Sequence, residues 1–367
     1  MSGYPEETTA LDGELLRTMR SWRDGGHALH EDEFNELALR VFRYQLRYNE
    51  PYRQYCATLS ETNRTLPSNW QSIPPVPASA FKDAILTTFD SARAALVFET
   101  SGTTRGRSGT HYMETNALYD EALLAGFNRA MLADGAVLRY FNLVPNPLER
   151  PGSSLGYMMA KVSARYGDGN TGWYVRAEDV RATEFLRDLG GAMAQGVAVC
   201  ISGTAFGLVH ILDVLGARKM RFVLPAGSRI METGGLKGRT RVLSRENFYE
   251  ELARTFGVPR ESIVAEYGMT ELTSQYYDEP ASRAAAQRTK AGPPWLRSMV
   301  VDAAGNALPE NIVGTLVHFD LANRGSVMAV ATEDLAYASG ESFVLLGRDA
   351  DASLRGCSLD AEDLLPI

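Results

Sequence analysis

The sequence predicts an α/β protein with a largely parallel sheet and a β-rich subdomain on the same body. Three observations carry that prediction. Strand-length apolar runs alternate with helical stretches between residues 177 and 267, the pattern of βαβ units with helices on both faces of a sheet. The segment ETSGTTRGRSG at 99–109 directly follows the apolar run AALVF, so a strand is expected to hand over to a loop where an open α/β sheet places its ligands. In the last hundred residues, pieces such as GTLVHFDL and SVMAVAT alternate with glycine turns and no helix intervenes.

Taken in chain order, the first element is helical. Phe34, Leu37, Ala38, Val41, Phe42 and Leu46 follow a helical spacing, which puts them on one face destined for the core. The proline-rich break SIPPVPASAFKD at 72–83 closes this segment, and Ala94 to Phe98 reads as a short buried strand. There follow a helix around 177–193, the strand VAVCI at 197–201, a helix at 205–216, a strand RFVLP at 221–225, a helix at 244–256 and the strand SIVAEY at 262–267. The expected division is a helical segment over 1–85, a core over 86–346 and a tail over 347–367.

A chain of 367 residues, 45% of them hydrophobic, can bury a substantial core. Its 37 basic and 45 acidic residues give a net charge of −8. That balance argues against nucleic-acid binding and confines any anion site to a local cluster. The start, MSGYPEETTALDGELLRTMR, lacks a leader pattern, and no apolar run is long enough to cross a bilayer. A cytoplasmic protein without membrane insertion is expected. Cys56, Cys200 and Cys357 stand at unrelated spacings and the five histidines show no ligand pattern, so neither a disulfide framework nor a cysteine or histidine metal site is expected.

Three stretches carry chemistry. In the first, glycines let backbone N–H groups converge on phosphate oxygens, Ser101, Thr103 and Thr104 add hydroxyls, and Arg105 and Arg107 add charge. The segment matches neither the P-loop nor the dinucleotide fingerprint. In the second, EYGMTELTSQYYD at 266–278, Tyr267 offers an aromatic face to a base, Thr270 a hydroxyl to a phosphate and Glu271 a hard oxygen ligand to Mg²⁺. In the third, ATEDLAYASGESFVLLGRDAD at 331–351, Asp334 is suited to ribose hydroxyls and Arg348 to the same sugar or the α-phosphate.

The order TSGTT, YGMTE, TEDLA and GRDAD resembles the adenylate-forming enzymes, which activate a carboxylic acid with ATP to an acyl-AMP and pyrophosphate. Within them, IPPVPASAFKD, LVPNPLERPGSSLGYMM, METGGLKGR, GPPWLR, DLAN and RGCSL make the chain most similar to the acyl-protein synthetases of the bacterial luminescence fatty-acid reductase complex. The resemblance implies the large N-terminal domain of the adenylate-forming fold. Because the chain ends sixteen residues after Asp351, the mobile C-terminal domain of the coenzyme A ligases is expected to be absent, as in the acyl-protein synthetases.

It further implies that Ser101, Gly102, Thr103, Thr104 and Arg105 hold the ATP phosphates, that Gly234 and Gly235 lie along the adenine with Tyr267 and Gly268 nearby, and that Thr270 touches phosphate. Glu271 would ligate Mg²⁺, and Asp334 and Arg348 would hold the ribose, with Arg348 also neutralising charge in catalysis. The acyl chain would run between 203–210 and the strand leading into Tyr267, making Phe206 and His210 pocket candidates. Arg105 and Arg107 stand where many relatives carry a lysine, keeping the charge but not the compact ammonium.

By the same resemblance Cys357 takes the acyl group as a thioester before a partner, an acyl reductase or a carrier protein, accepts it. Cys357 lies between Gly356 and Ser358 with Arg355 nearby, a setting that favours the thiolate. Cys200, inside a buried strand, should be inert. His111 could serve as a general base or a phosphate contact, although a lone histidine more often reads as structural, and Trp295 after two prolines reads as packing. Three functions stay open: a self-acylating synthetase, probed with a fatty acid first; a compact acyl- or aryl-CoA or carrier-protein ligase of the phenylacetate-CoA ligase type; and a non-catalytic nucleotide-binding subunit of a reductase complex.

Overall fold

The computed structural model describes residues 6–26, 28–60, 66–100, 108–177, 179–234 and 243–348. Helices α1 (Glu6–Arg23), α2 (Glu31–Tyr48) and α3 (Glu50–Ser60) come first. The short strand β1 (Val76–Pro77), the hairpin of β2 (Leu96–Glu99) and β3 (Thr110–Met113), and helix α4 (Ala117–Met131) follow. The alternating region comprises β4 (Leu138–Pro145), α5 (Ser154–Tyr166), β5 (Gly167–Arg176), β6 (Asp179–Val180), α6 (Ala182–Ala194), β7 (Val199–Thr204), α7 (Ala205–Ala217), β8 (Arg229–Thr233), α8 (Arg245–Phe256) and β9 (Ile263–Tyr267). Strands β10 (Tyr276–Asp278), β11 (Thr289–Ala291), β12 (Leu296–Val301), β13 (Gly314–Asp320), β14 (Ala329–Ser339) and β15 (Ser342–Arg348) complete the order.

The chain divides into two compact units, one drawn from Met1–Gly126, Met269–Gln275 and Ala291–Ile367, the other from Phe127–Gly268 and Tyr276–Lys290. In the first unit, β12, β13, β14 and β15 form an antiparallel meander, with β1 laid parallel on β14. Helix α2 packs as its spacing predicts: Phe34, Leu37, Ala38, Val41 and Phe42 are buried. Its entry is fixed where the His30 N–H donates to Glu33 Oε2 at 2.8 Å, which satisfies one of the amides a helix start leaves without a partner.

In the second unit the strand order is β11-β10-β9-β8-β7-β4-β5-β6, and the five central strands β9, β8, β7, β4 and β5 are parallel. The expected α/β class with a parallel-rich sheet and a β-rich subdomain holds. The core around this sheet runs through Phe141, Ile201, Leu208, Leu212, Phe248 and Leu252.

Two local expectations change. RFVLP is not a strand, and its place in the sheet is taken by β8. The Phe222 and Leu224 amides instead donate to the carbonyls of Thr255 and Phe256 at 2.8 and 3.0 Å, capping the end of α8; carbonyls at a helix C-terminus have no partner of their own. The strand at 94–98 is the hairpin strand β2, in which Phe98 is buried and Val97 is exposed. A two-stranded hairpin has one buried face, so an apolar run there does not mean burial on both.

Candidate functional site

In the second unit the parallel strands deliver three polar side chains in register at their carboxyl ends. Thr204 pairs with Thr233 and Thr233 with Glu266 across β7, β8 and β9. Thr204 is committed to its helix, accepting from the Gly207 amide at 3.2 Å. The Thr233 hydroxyl donates to the Glu266 carboxyl. Burial raises the Glu266 carboxyl to about 7, against the lowering effect of Thr233 and Lys290, so this acid holds its proton into the neutral range.

Gly234 follows at φ +79 with nothing within 4 Å of where a Cβ would sit. The left-handed turn needs glycine, and the position is open on that side. Tyr267, half-buried at the end of β9, meets Tyr276 with ring centroids 6.0 Å apart. Phe206 and His210 lie one turn apart on α7, Phe206 exposed and His210 half-buried. They share a helix face.

A buried ion cluster fixes β9 from its flank. The Asp278 carboxylate accepts from the Ala265 amide and from Arg288 Nη1 and forms an ion pair with Lys290, each at 2.8 Å. Arg288 and Lys290 also donate to the Ile263 and Ala265 carbonyls at 2.6 and 2.7 Å. Burial alone would raise the Asp278 carboxyl, but Lys290 and Arg288 hold it below the ordinary value. Burial lowers Lys290 in turn. Beside it, Glu232 is raised by burial and accepts from the Tyr249 hydroxyl at 2.7 Å.

The chain crosses into the first unit within YGMTE, after Gly268. There Thr270 presents its carbonyl to His111 Nδ1 at 2.7 Å. Since a carbonyl only accepts, Nδ1 carries the proton. Burial drives the His111 ring down to about 4, so it is neutral and holds this turn, in keeping with its structural reading. Glu271 is buried, and burial raises its carboxyl against the lowering effect of its own backbone amide, Arg348 and Lys82. Asp334 and Arg348 face one another across β14 and β15, with Arg348 Nε 3.5 Å from the Asp334 carboxylate. Glu271, Asp334 and Arg348 are thus brought into one electrostatic cluster.

The backbone around Glu271 is held by residues that sequence reasoning passed over. Asn323 Nδ2 donates to the Glu271 carbonyl at 2.7 Å, and the Asn323 side-chain oxygen Oδ1 accepts from the Thr273 hydroxyl. The buried Asp320 carboxylate takes the Thr273 and Ser274 amides at 2.9 and 2.8 Å. Both residues belong to DLAN, whose acidic and amide side chains are the available signal. Trp295 is fully buried and donates to the Ser274 hydroxyl at 2.9 Å, again a packing residue. Lys82 was also passed over, although it lies in IPPVPASAFKD.

Ser101, Gly102, Thr103, Thr104, Arg105, Arg107, Gly235 and Cys357 lie outside the described residues. The other two thiols are unreactive by environment: Cys56 and Cys200 are buried and each is raised to about 12, chiefly by burial. Among the described residues no three histidine, cysteine or acidic side chains gather into a metal cage. One buried carboxylate fits Mg²⁺ nonetheless, because that ion keeps several waters and takes its other oxygens from phosphate. Among the described residues no helix is long and apolar enough to cross a membrane.

The parallel sheet with polar strand ends and the antiparallel meander define the adenylate-forming class of fold. The chain is similar to an open-conformation 2-hydroxyisobutyryl-CoA ligase bound to 2-HIB-AMP and CoA, at TM-score 0.64 and 14% identity, covering 88% of this chain and 77% of that one. It is similar to ATP-bound MatB from Rhodopseudomonas palustris, at 0.51 and 14%, covering 71% and 49%. The McyG A-PCP complexed with phenylalanyl-adenylate aligns at 0.50 and 17%, covering 79% and 51%. The chain thus spans about half the length of the last two structures. The family model "Acyl-protein synthetase, LuxE" matches residues 27–365. The chain belongs to the LuxE acyl-protein synthetase family. No curated protein matches it.

Proposed function

We propose that the protein uses ATP to activate a carboxylic acid, a fatty acid in the first instance, and then carries the acyl group on Cys357 as a thioester before passing it to a partner protein in the cytoplasm. The observation that carries this reading is the convergence of buried Glu271 with Asp334 and Arg348 in one unit, within a chain of the acyl-protein synthetase family. The carboxylate oxygen of the acid attacks the α-phosphorus, the bond to the bridging oxygen breaks and pyrophosphate leaves. Asp334 accepts from the ribose hydroxyls and Arg348 donates toward the α-phosphate, fixing the nucleotide for in-line attack. Glu271, together with phosphate oxygens, would hold Mg²⁺, which neutralises charge on the departing pyrophosphate. Ser101, Thr103, Thr104 and Arg105 bind the phosphates, and Gly234, Gly235 and Tyr267 line the base. The Cys357 thiolate then attacks the acyl carbonyl and AMP leaves.

Phe206 and His210 flank the acyl chain in this reading. The final acceptor is an acyl reductase or a carrier-protein thiol.

Intact-protein mass spectrometry after incubation with ATP, Mg²⁺ and a panel of fatty and aryl acids tests the proposal. A hydroxylamine-labile acyl adduct on the wild type and none on Cys357→Ser is the expected result. Acid-dependent pyrophosphate exchange without any adduct would remove Cys357 from the mechanism and favour a coenzyme A or carrier-protein ligase.

A further inference from the structure

We propose that Lys82 is a phosphate-binding residue of this site, its ammonium taking the β- and γ-phosphate oxygens of ATP and then the pyrophosphate that leaves. The inference rests on the adenylating reading above and adds to it the cation that receives the leaving group.

Three contacts fix the turn that carries Lys82, all within the first unit. The strand β1 runs parallel to β14, with Val76 paired to Val330 and Pro77 to Ala331, so the turn over 78–82 starts beside the strand that carries Asp334. The Phe81 ring meets His111 edge-on at 5.4 Å between centroids, and His111 holds the Thr270 carbonyl at 2.7 Å. Gly109 lies so close to Phe81 that a Cβ there would stand 3.0 Å from both the carbonyl carbon and oxygen of Phe81. No larger residue fits at Gly109 without moving that backbone. Gly109 in turn accepts from the Thr100 amide at 2.8 Å.

The residue directly before Lys82 is therefore buried and anchored to β14, to the YGMTE turn and to the Thr100–Gly109 closure, while Lys82 itself is exposed. An anchored stem with a solvated head suits a group that waits for an anion. Among the described residues, Arg348 and Lys82 act on the Glu271 carboxyl as cations and Asp334 as an anion. Arg348 lies against Asp334 at 3.5 Å, on the ribose and α-phosphate side of this reading, so among the described residues that act on Glu271 the cation offered to the outer phosphates is Lys82. A compact ammonium serves as a point charge for phosphate, the property that Arg105 and Arg107 lack.

The test compares wild type, Lys82→Met and Lys82→Arg by calorimetric titration with ATP and with AMP, and by acid-dependent pyrophosphate exchange. Loss of one charged contact predicts ATP binding weaker by about tenfold or more in Lys82→Met, with a matching rise in KM for pyrophosphate. AMP binding, which lacks the β- and γ-phosphates, should stay within about twofold, and Lys82→Arg should recover part of the loss. A wild type that exchanges while Lys82→Met binds ATP as tightly overturns the Lys82 assignment alone. Equal loss of ATP and AMP overturns it too, because the damage is then not confined to the outer phosphates. A wild type that neither binds ATP nor exchanges pyrophosphate overturns the adenylating reading and the Lys82 assignment with it.

Discussion

Replacing Asp278 by asparagine should loosen β9 about as much as a large apolar truncation in the core. The carboxylate sits between Arg288 and Lys290, and the three side chains are 0, 3 and 2% exposed. Asp278→Asn leaves two cations in a site from which water is excluded, and removal of one partner from a buried pair costs about 3–5 kcal/mol. Lys290 is already lowered by burial and can discharge, which puts the expected cost near the lower end at alkaline pH. The amide oxygen of asparagine still accepts from Ala265, so the loss is electrostatic rather than a loss of strand pairing. Hydrogen exchange read on the β9 peptide is the appropriate assay, because a chain of two units does not support one global unfolding free energy. A loss of about 3 kcal/mol corresponds to a fall in protection of about a hundredfold. Protection within twofold of wild type would refute the reasoning. So would a triple variant, Asp278→Leu with Arg288→Met and Lys290→Met, that is less protected than Asp278→Asn, since removing all charges together should recover part of the loss.

Asn323→Ala should lower pyrophosphate exchange by at least about tenfold by freeing the Glu271 carbonyl and the Thr273 hydroxyl, each worth about 1–3 kcal/mol when left unpaired in a buried site; unchanged exchange kinetics would count against a positioning role. Glu266 is raised to about 7 from an ordinary 4.5, so the folded state holds a proton that the unfolded state has released. Stability linked to it is fully present below pH about 4.5 and is lost as pH rises through 7, by about 3 kcal/mol. Hydrogen-exchange protection of the β9 peptide in Glu266→Gln should therefore diverge upward from wild type across that window, and parallel protection would contradict the assignment. His111, lowered to about 4 from 6.5, acts in the opposite direction. Its contribution is present above pH 6.5 and is lost by about 3 kcal/mol as pH falls to 4, where the unfolded ring is protonated and the folded ring is not. His111→Asn should flatten that acid limb.

Much of the fold could be read in order from the chain, because helical and strand periodicities are local. The stripe from Phe34 to Phe42 is buried as spaced, and α7 at Ala205–Ala217 and α8 at Arg245–Phe256 fall within a residue of expectation. The failure at RFVLP has the same physics: an apolar run of five cannot say whether its amides will meet a strand or the carbonyls at a helix end. The partners of His111, Asp320, Asn323 and Lys82 were illegible for a further reason. Each acts on a segment tens to hundreds of residues away, as His111 does on Thr270 and Asn323 on Glu271, and nothing in local composition encodes that pairing.

By itself the sequence determined the α/β class, the helices at 34–42, 205–217 and 245–256, and which residue types stand in TSGTT, YGMTE and TED, because those depend on neighbours along the chain. Only the tertiary structure decided that Glu271 is buried beside Arg348 and Lys82, that Asp278 holds β9 through two buried cations, and that Glu266 keeps its proton near neutrality. Burial and charge proximity are properties of the packed chain, and they set the chemistry of a side chain whose identity the sequence had already supplied.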